Sequence, residues 1–244
     1  MPDVKKIVQT AYSGIATEQR PLRSGSCSCS KKNISKEIGY TDEQLHKVGG
    51  ANLGLGCGNP TAFSAIKKGD TVVDLGSGGG IDCFLAAEKV GTRGKVIGID
   101  FTKEMIDRAR AHAKAGGHDN VEFILGDIER LPLADGSVDI IISNCVINLA
   151  PDKRAVFNEA HRVLKAGGRI YVSDIVLLAA LTPEQKNDHG LIAGCVAGAM
   201  QKDDYIDIVR SAGFSIRVLS ENKDISKQQY EGIALESLML EATK

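Results

Sequence analysis

The chain has 244 residues, 43% hydrophobic and 25% charged, with a formal net charge of −1, a length that suits one large α/β domain with additions and is too short for two independent full-size domains. The near-zero charge gives no electrostatic reason to expect a nucleic-acid or anionic-membrane partner, no run approaches the roughly 20 apolar residues of a membrane span, and the start, Met1-Pro2-Asp3-Val4-Lys5-Lys6-Ile7, lacks a secretory apolar region. The expectation is a cytoplasmic protein that works on a small molecule, with no nucleic acid and no membrane.

Taken in order, Val4, Ile7, Val8, Ala11 and Ile15 have helical spacing. Residues 20–33 are rich in Ser, Gly, Cys, Lys and Arg and read as a loop. Thr41 with Gln44 three residues on reads as a capping box. Five glycines in residues 49–58 exclude a stable helix and point to close backbone approach. From Lys67 the pattern alternates: strands at Thr71–Leu75, Lys95–Ile99, Val121–Leu125, Val138–Ser143 and Arg169–Val176, with helices at Ile81–Val90, Lys103–Ala115 and Lys153–Leu164. That alternation implies right-handed βαβ crossovers. Residues 182–213 read as helical, with Thr182 as N-cap. Ser215–Leu219 and Ile233–Glu241 offer two final strands. The expected fold is α/β, a mostly parallel seven-stranded sheet with helices on both faces, an N-terminal cap over 1–66, a core over 67–180, a helical substrate-site segment over 181–213 and closing strands over 214–244.

Val72-Val73-Asp74-Leu75-Gly76-Ser77-Gly78-Gly79-Gly80 is a strand running into a glycine-rich turn and then a helix. A bare G-x-G is shared with dinucleotide-binding folds, so an NAD-binding unit stays open at this point. Asp74 at the strand end suits a cationic amino-acid group and would repel a pyrophosphate. Asp100, at the end of the next strand, can accept from both hydroxyls of a ribose. Gly126-Asp127-Ile128-Glu129 follows the third strand, where a carboxylate can accept from an adenine amine. Together these residues resemble the class I S-adenosylmethionine methyltransferases, with their Rossmann-like fold. The resemblance implies that Asp74, Gly76, Ser77 and Gly78 line the methionine end of S-adenosylmethionine. It also implies that Asp100, Phe101 and Met105 serve the ribose side, that Gly126, Asp127 and Ile128 contact adenine, and that Asn144 lies beside the sulfonium.

There are six cysteines: Cys27, Cys29, Cys57, Cys83, Cys145 and Cys195. None forms a CxxC pair, which weakens zinc-ribbon and thioredoxin-type readings. In a reducing compartment, soft-ligand or redox chemistry outranks a disulfide framework. Cys145 follows Asn144 at the carboxyl end of the fourth strand, where open α/β sheets bind ligands. Ser143-Asn144-Cys145-Val146-Ile147-Asn148-Leu149-Ala150-Pro151-Asp152-Lys153, Gly54-Leu55-Gly56-Cys57-Gly58 and Gly194-Cys195-Val196-Ala197-Gly198-Ala199 closely resemble the arsenite methyltransferase family. The resemblance implies that Cys57, Cys145 and Cys195 hold trivalent arsenic as a methyl acceptor. It further implies an N-terminal thiol, Cys27 or Cys29, that helps reduction, and an external thiol reductant such as glutathione or thioredoxin. Two rivals remain at this level: a methyltransferase acting on carbon, oxygen or nitrogen of a small molecule, and a metalloid binder without turnover.

Several residues carry two readings each. Cys83 reads as core. His189 can orient the Cys195 segment or sit on a helix surface. Asp174 can face the pocket or cap a turn. Glu129 can point toward the acceptor or be solvated. Tyr12 can close over the cofactor as part of a lid.

Overall fold

A computed structural model describes residues 3–17, 35–225, 230 and 232–244. Helix α1 spans Val4–Ala16, started by the Asp3 side chain, which accepts from the Lys6 backbone N–H. α2 spans Asp42–Val48 and carries the expected Thr41–Gln44 capping box, and α3 is the single turn Pro60–Phe63. Then come β1 (Thr71–Leu75), α4 (Ile81–Val90), β2 (Lys95–Asp100), α5 (Lys103–Gly116), β3 (Val121–Leu125), β4 (Val138–Asn144), α6 (Lys153–Val163) and β5 (Leu164–Leu177). α7 (Pro183–Asn187), α8 (His189–Ala193), α9 (Lys202–Ser211), β6 (Ser215–Asn222) and β7 (Leu235–Thr243) complete the order. Among the described residues no helix is long and apolar enough to cross a membrane.

The seven strands form one sheet in the order β3-β2-β1-β4-β5-β7-β6. The first five are parallel, and β7 runs antiparallel to both β5 and β6. Strand periodicity divides the apolar residues between two layers. Val73, Leu75 and Ile141 face Val156, Phe157 and Ala160 of α6 together with Tyr205 of α9. Val72, Ile140 and Ile142 face Phe84 and Leu85 of α4 and Ile106 of α5. Each such side chain, once fully buried, contributes about 1.5–3 kcal/mol, so burial on both faces holds the strands in register. That register sets Asn144 beside Ser173 at the carboxyl ends of β4 and β5.

The region 182–213 differs from the expected single helical segment. Thr182 does cap α7, with Gln185 as its box partner. Asp188 then ends α7 and caps α8, its side chain accepting from the Leu191 N–H. Residues 194–201 are not helical before α9 begins. A Cβ on Gly198 would lie 2.0 Å from the Asn148 carbonyl oxygen, so this segment lies backbone-to-backbone on the chain that follows β4. Strand β5 also begins at Leu164, five residues before the expected start, because Leu164 pairs with Val138 ahead of an irregularity in the ladder.

Candidate functional site

A third apolar cluster sits beyond the carboxyl ends of β4 and β5, and it contains Cys57, Cys145 and Cys195. Each thiol arrives by a different route. Cys145 is the first residue after β4, and its N–H donates to the Ser173 carbonyl at 2.8 Å. Cys57 sits in the glycine-rich segment, its N–H donating to Asn144 Oδ1 at 3.1 Å and its carbonyl accepting from Ser237 Oγ of β7 at 2.8 Å. Close approach here demands glycine: a Cβ on Gly58 would lie 2.0 Å from Ser173 Oγ. Cys195 lies in the non-helical segment after α8, and its thiol donates to the Cys145 carbonyl oxygen at 2.7 Å. All three are buried.

The donor atoms of Cys57, Cys145 and Asp174 lie within 4.8 Å of one another. Asp174 therefore faces the thiols and is not a turn cap. Burial pushes its carboxyl up to about 7, opposed by the Tyr205 hydroxyl and the Lys153 ammonium. Burial also raises the Cys57 thiol. The neighbouring Cys195 and Cys57 thiols, followed by burial, push Cys145 well above the usual thiol range. Tyr12 of α1 packs against this cluster, its hydroxyl 3.3 Å from the Ala193 carbonyl. It lies near the Cys195 and Cys145 thiols, in the same cluster as Phe101 of the cavity lining.

Next to the thiols is a buried group of carboxylates. Asp74 is 3% exposed and accepts from Cys83 Sγ at 3.3 Å. Burial, then Asp82, then Asp100 push Asp74 well above the ordinary carboxylate range. Burial raises Asp82 to about 6, opposed by hydrogen bonds from Tyr40 and Asn144. Asp100 is raised by burial and held against that rise by the backbone N–H groups of Thr102 and Gly78, at 2.8 and 3.0 Å. A cluster of this kind is matched by a cationic ligand, which lowers the energy of the ionised carboxylates.

Gly76, Asp100, Phe101, Asp127 and Ile128 line a common cavity. Ser77 Oγ, next to Gly76, is buried without a hydrogen-bond partner among the described residues. A Cβ on Gly78 would meet nothing within 4 Å. A buried polar atom without a partner and open space beside the turn fit a polar ligand there. Of the remaining expected cofactor residues, Met105 is fully buried on α5, and none of Asp74, Ser77, Gly78, Met105, Gly126 and Asn144 is among the residues lining this cavity. The Asn144 amide reaches toward the Cys57 loop, donating to the Gly58 carbonyl at 2.8 Å, the Tyr40 hydroxyl at 3.0 Å and Asp82 at 3.3 Å. Asp127 and Glu129 share Lys5 of α1, at 2.6 and 2.5 Å, so Glu129 is engaged at the cavity rim.

Cys83 is fully buried, as expected of core, and also touches Asp74. His189 is exposed at the start of α8. Cys27 and Cys29 lie outside the described residues. Tyr40, Asp82, Ser173, Tyr205 and Lys153 were not singled out from the sequence. A usable signal existed for one of them: Ser173-Asp174 is a polar pair inside the apolar run Ile170–Leu177 of β5.

The methyltransferase-domain family matches residues 66–213. An arsenite methyltransferase of Halobacterium salinarum is 45% identical over 224 residues, covering 87% of this chain and 57% of that protein. One from Aquipseudomonas alcaligenes is 38% identical over 226 residues, covering 90% and 64%. The chain thus spans 57–64% of the length of these two relatives. Among solved structures, an arsenic(III) S-adenosylmethionine methyltransferase from Chlamydomonas reinhardtii superposes with a TM-score of 0.63 at 34% identity, covering 86% of this chain and 71% of that one.

Proposed function

Because this chain belongs to the methyltransferase-domain family, we propose that it transfers the methyl group of S-adenosylmethionine to trivalent arsenic held by Cys57, Cys145 and Cys195. The observation that carries this reading is the gathering of three thiols from separate segments into one buried cluster beside the carboxylate group. A methyltransferase acting on carbon, oxygen or nitrogen has no use for that gathering. The arsenic enzymes named above share most of this chain's length and support the same acceptor.

When bound, S-adenosylmethionine supplies an electrophilic methyl group on a sulfonium. The chain's residues do the rest. Asp74, Asp82 and Asp100 set a negative field that favours a cationic ligand, and Gly76, Asp100, Phe101, Asp127 and Ile128 shape the cavity for a nucleoside. Soft thiolates are the matching ligands for soft trivalent arsenic. Arsenous acid and three thiols exchange three As–O bonds for three As–S bonds, and the thiol protons leave in three waters. Arsenic then keeps its own lone pair, so no general base is needed. The residues contribute positioning, which supplies up to roughly 7–11 kcal/mol of a barrier. The cysteines among the described residues are free, in keeping with the reducing cytoplasm in which we place the reaction. An external thiol, glutathione or thioredoxin, acts as reductant, with Cys27 or Cys29 relaying by thiol–disulfide exchange.

The test is incubation with arsenite, S-adenosylmethionine and a thiol, with methylarsenicals read by chromatography and mass detection. The intact chain should form them and Cys145→Ser should not. Undiminished product from Cys145→Ser would overturn the three-thiol arrangement.

A further inference from the structure

Among the described residues one set of potential cation ligands brings its donor atoms within 4.8 Å of one another: Cys57, Cys145 and Asp174. Cys195 is not a member, and its thiol is turned to the Cys145 carbonyl oxygen. Asp174 is fully buried; its Oδ2 accepts from Tyr205 at 2.6 Å, and its Oδ1 has no hydrogen-bond partner among the described residues. Leaving such an oxygen bare inside a protein is unfavourable, so the position favours a ligand that takes up its lone pairs.

The donor set is two sulfurs and one carboxylate oxygen. Trivalent arsenic takes a pyramid of three sulfurs and gains nothing from the carboxylate. Zinc-like cations accept both thiolate and carboxylate in one tetrahedral shell. The Lys153 ammonium, held by the Ala150 carbonyl at 3.1 Å, offsets part of the negative charge nearby. We propose that Cys57, Cys145 and Asp174 form a site for a thiophilic divalent cation of the zinc and cadmium class, which blocks arsenic by occupying two of its thiols. The blocking rests on the arsenic function, whereas the cation site stands on the geometry of its three ligands.

Cadmium chloride is the probe, titrated into the reduced full chain carrying Cys27→Ser and Cys29→Ser, free of arsenic and S-adenosylmethionine. The ultraviolet sulfur-to-cadmium charge-transfer band should saturate at one equivalent. Asp174→Asn keeps an acceptor for Tyr205 and should weaken cadmium binding by roughly 10- to 100-fold or more, with the band per bound ion retained. Cys57→Ser leaves one thiolate in the set and should reduce that band to about half, which carries the test if Asp174→Asn does not fold. No saturable band, or equal affinity in Asp174→Asn, overturns the site. Arsenite added to the cadmium-loaded chain should bind only as cadmium leaves. Cadmium binding as described, with no methylarsenicals made by the intact chain that keeps Cys27 and Cys29, counts against the arsenic function alone.

Discussion

The Cys195 thiol donates to the carbonyl oxygen of Cys145 at 2.7 Å, and these two are the only non-glycine residues with positive φ among the described residues, at 69° and 59°. The left-handed region is unfavourable for a residue with a Cβ by about 1–2 kcal/mol. Such strain persists only where surrounding structure enforces it, and it concentrates at functional sites. Here the Cys145 N–H is fixed by Ser173 and its carbonyl by Cys195, which turns the first residue after β4 out of line with the strand and toward the other thiols.

Relief of that strain is measurable. Cys145→Gly and Cys145→Ala both remove the thiol, but only glycine relaxes at this φ. Cys145→Gly should unfold about 1 kcal/mol later than Cys145→Ala, read by denaturant titration. Equal stability would show that the turn is unstrained.

The Cys57 loop depends on backbone contact. Gly58→Ala sets a Cβ 2.0 Å from Ser173 Oγ and 2.9 Å from Ser173 Cβ, so one of the two segments must move. The variant should lose about 1–3 kcal/mol of stability and should alkylate faster at Cys57 as the loop lifts. Peptide mapping after timed iodoacetamide treatment decides this, and an unchanged rate would mean that the loop tolerates the added carbon.

Asn144 links Cys57 to the carboxylates. Its amide accepts from the Cys57 N–H and donates to Gly58, Tyr40 and Asp82. Asn144→Ala strands several of these groups and should remove about 1–3 kcal/mol. Through Cys57 it should also weaken arsenite binding, where a packing change alone would leave affinity intact. Calorimetric arsenite titration of the folded variant separates the two.

Stability should fall as pH rises toward neutrality. Burial raises Asp174 to about 7 and Asp82 to about 6, above the ordinary value of 3.8 that each takes when unfolded. Between the two values the folded chain holds more protons than the unfolded chain, so unfolding free energy decreases with pH and levels off above the folded pKa. For Asp174 the full change is on the order of 4 kcal/mol. Asp82 and the raised Asp74 also titrate in the folded chain, so the share of Asp174 is the difference in slope between the intact chain and Asp174→Asn. Asp174→Asn should lessen the slope near pH 7 and raise the melting temperature at neutral pH. A slope unchanged by the substitution would assign the whole effect elsewhere.

Arsenite affinity should be nearly independent of pH. The Cys57 and Cys145 thiols are raised, so they meet neutral arsenous acid as neutral thiols, and their protons leave as water. Between about pH 6.5 and 8 the binding constant should vary by less than about threefold. A fall near tenfold per pH unit would mean that a thiolate, not a thiol, is the resting form, since its binding to arsenous acid would take up a proton.

How much was legible in the chain follows from what each feature depends on. The period-2 apolar strands, the helices between them and the Asp74-to-Gly80 turn are local patterns, and the parallel sheet follows from their alternation. Residues 182–213 read as helical, whereas the breaks between α7, α8 and α9 depend on Asp188 starting a new helix and on Gly198 pressing against the Asn148 carbonyl.

The sequence by itself determined a Rossmann-like sheet, a glycine turn at its first strand and three cysteines placed in separate segments, because each of these is written in neighbouring residues. Only the tertiary structure decided that Asp174 stands with Cys57 and Cys145, that Asn144 braces the Cys57 loop, and that Cys145 and Cys195 are left-handed. Those relationships join positions 29 to 117 residues apart, brought together by the register of β4 on β5 and by burial that no local preference encodes.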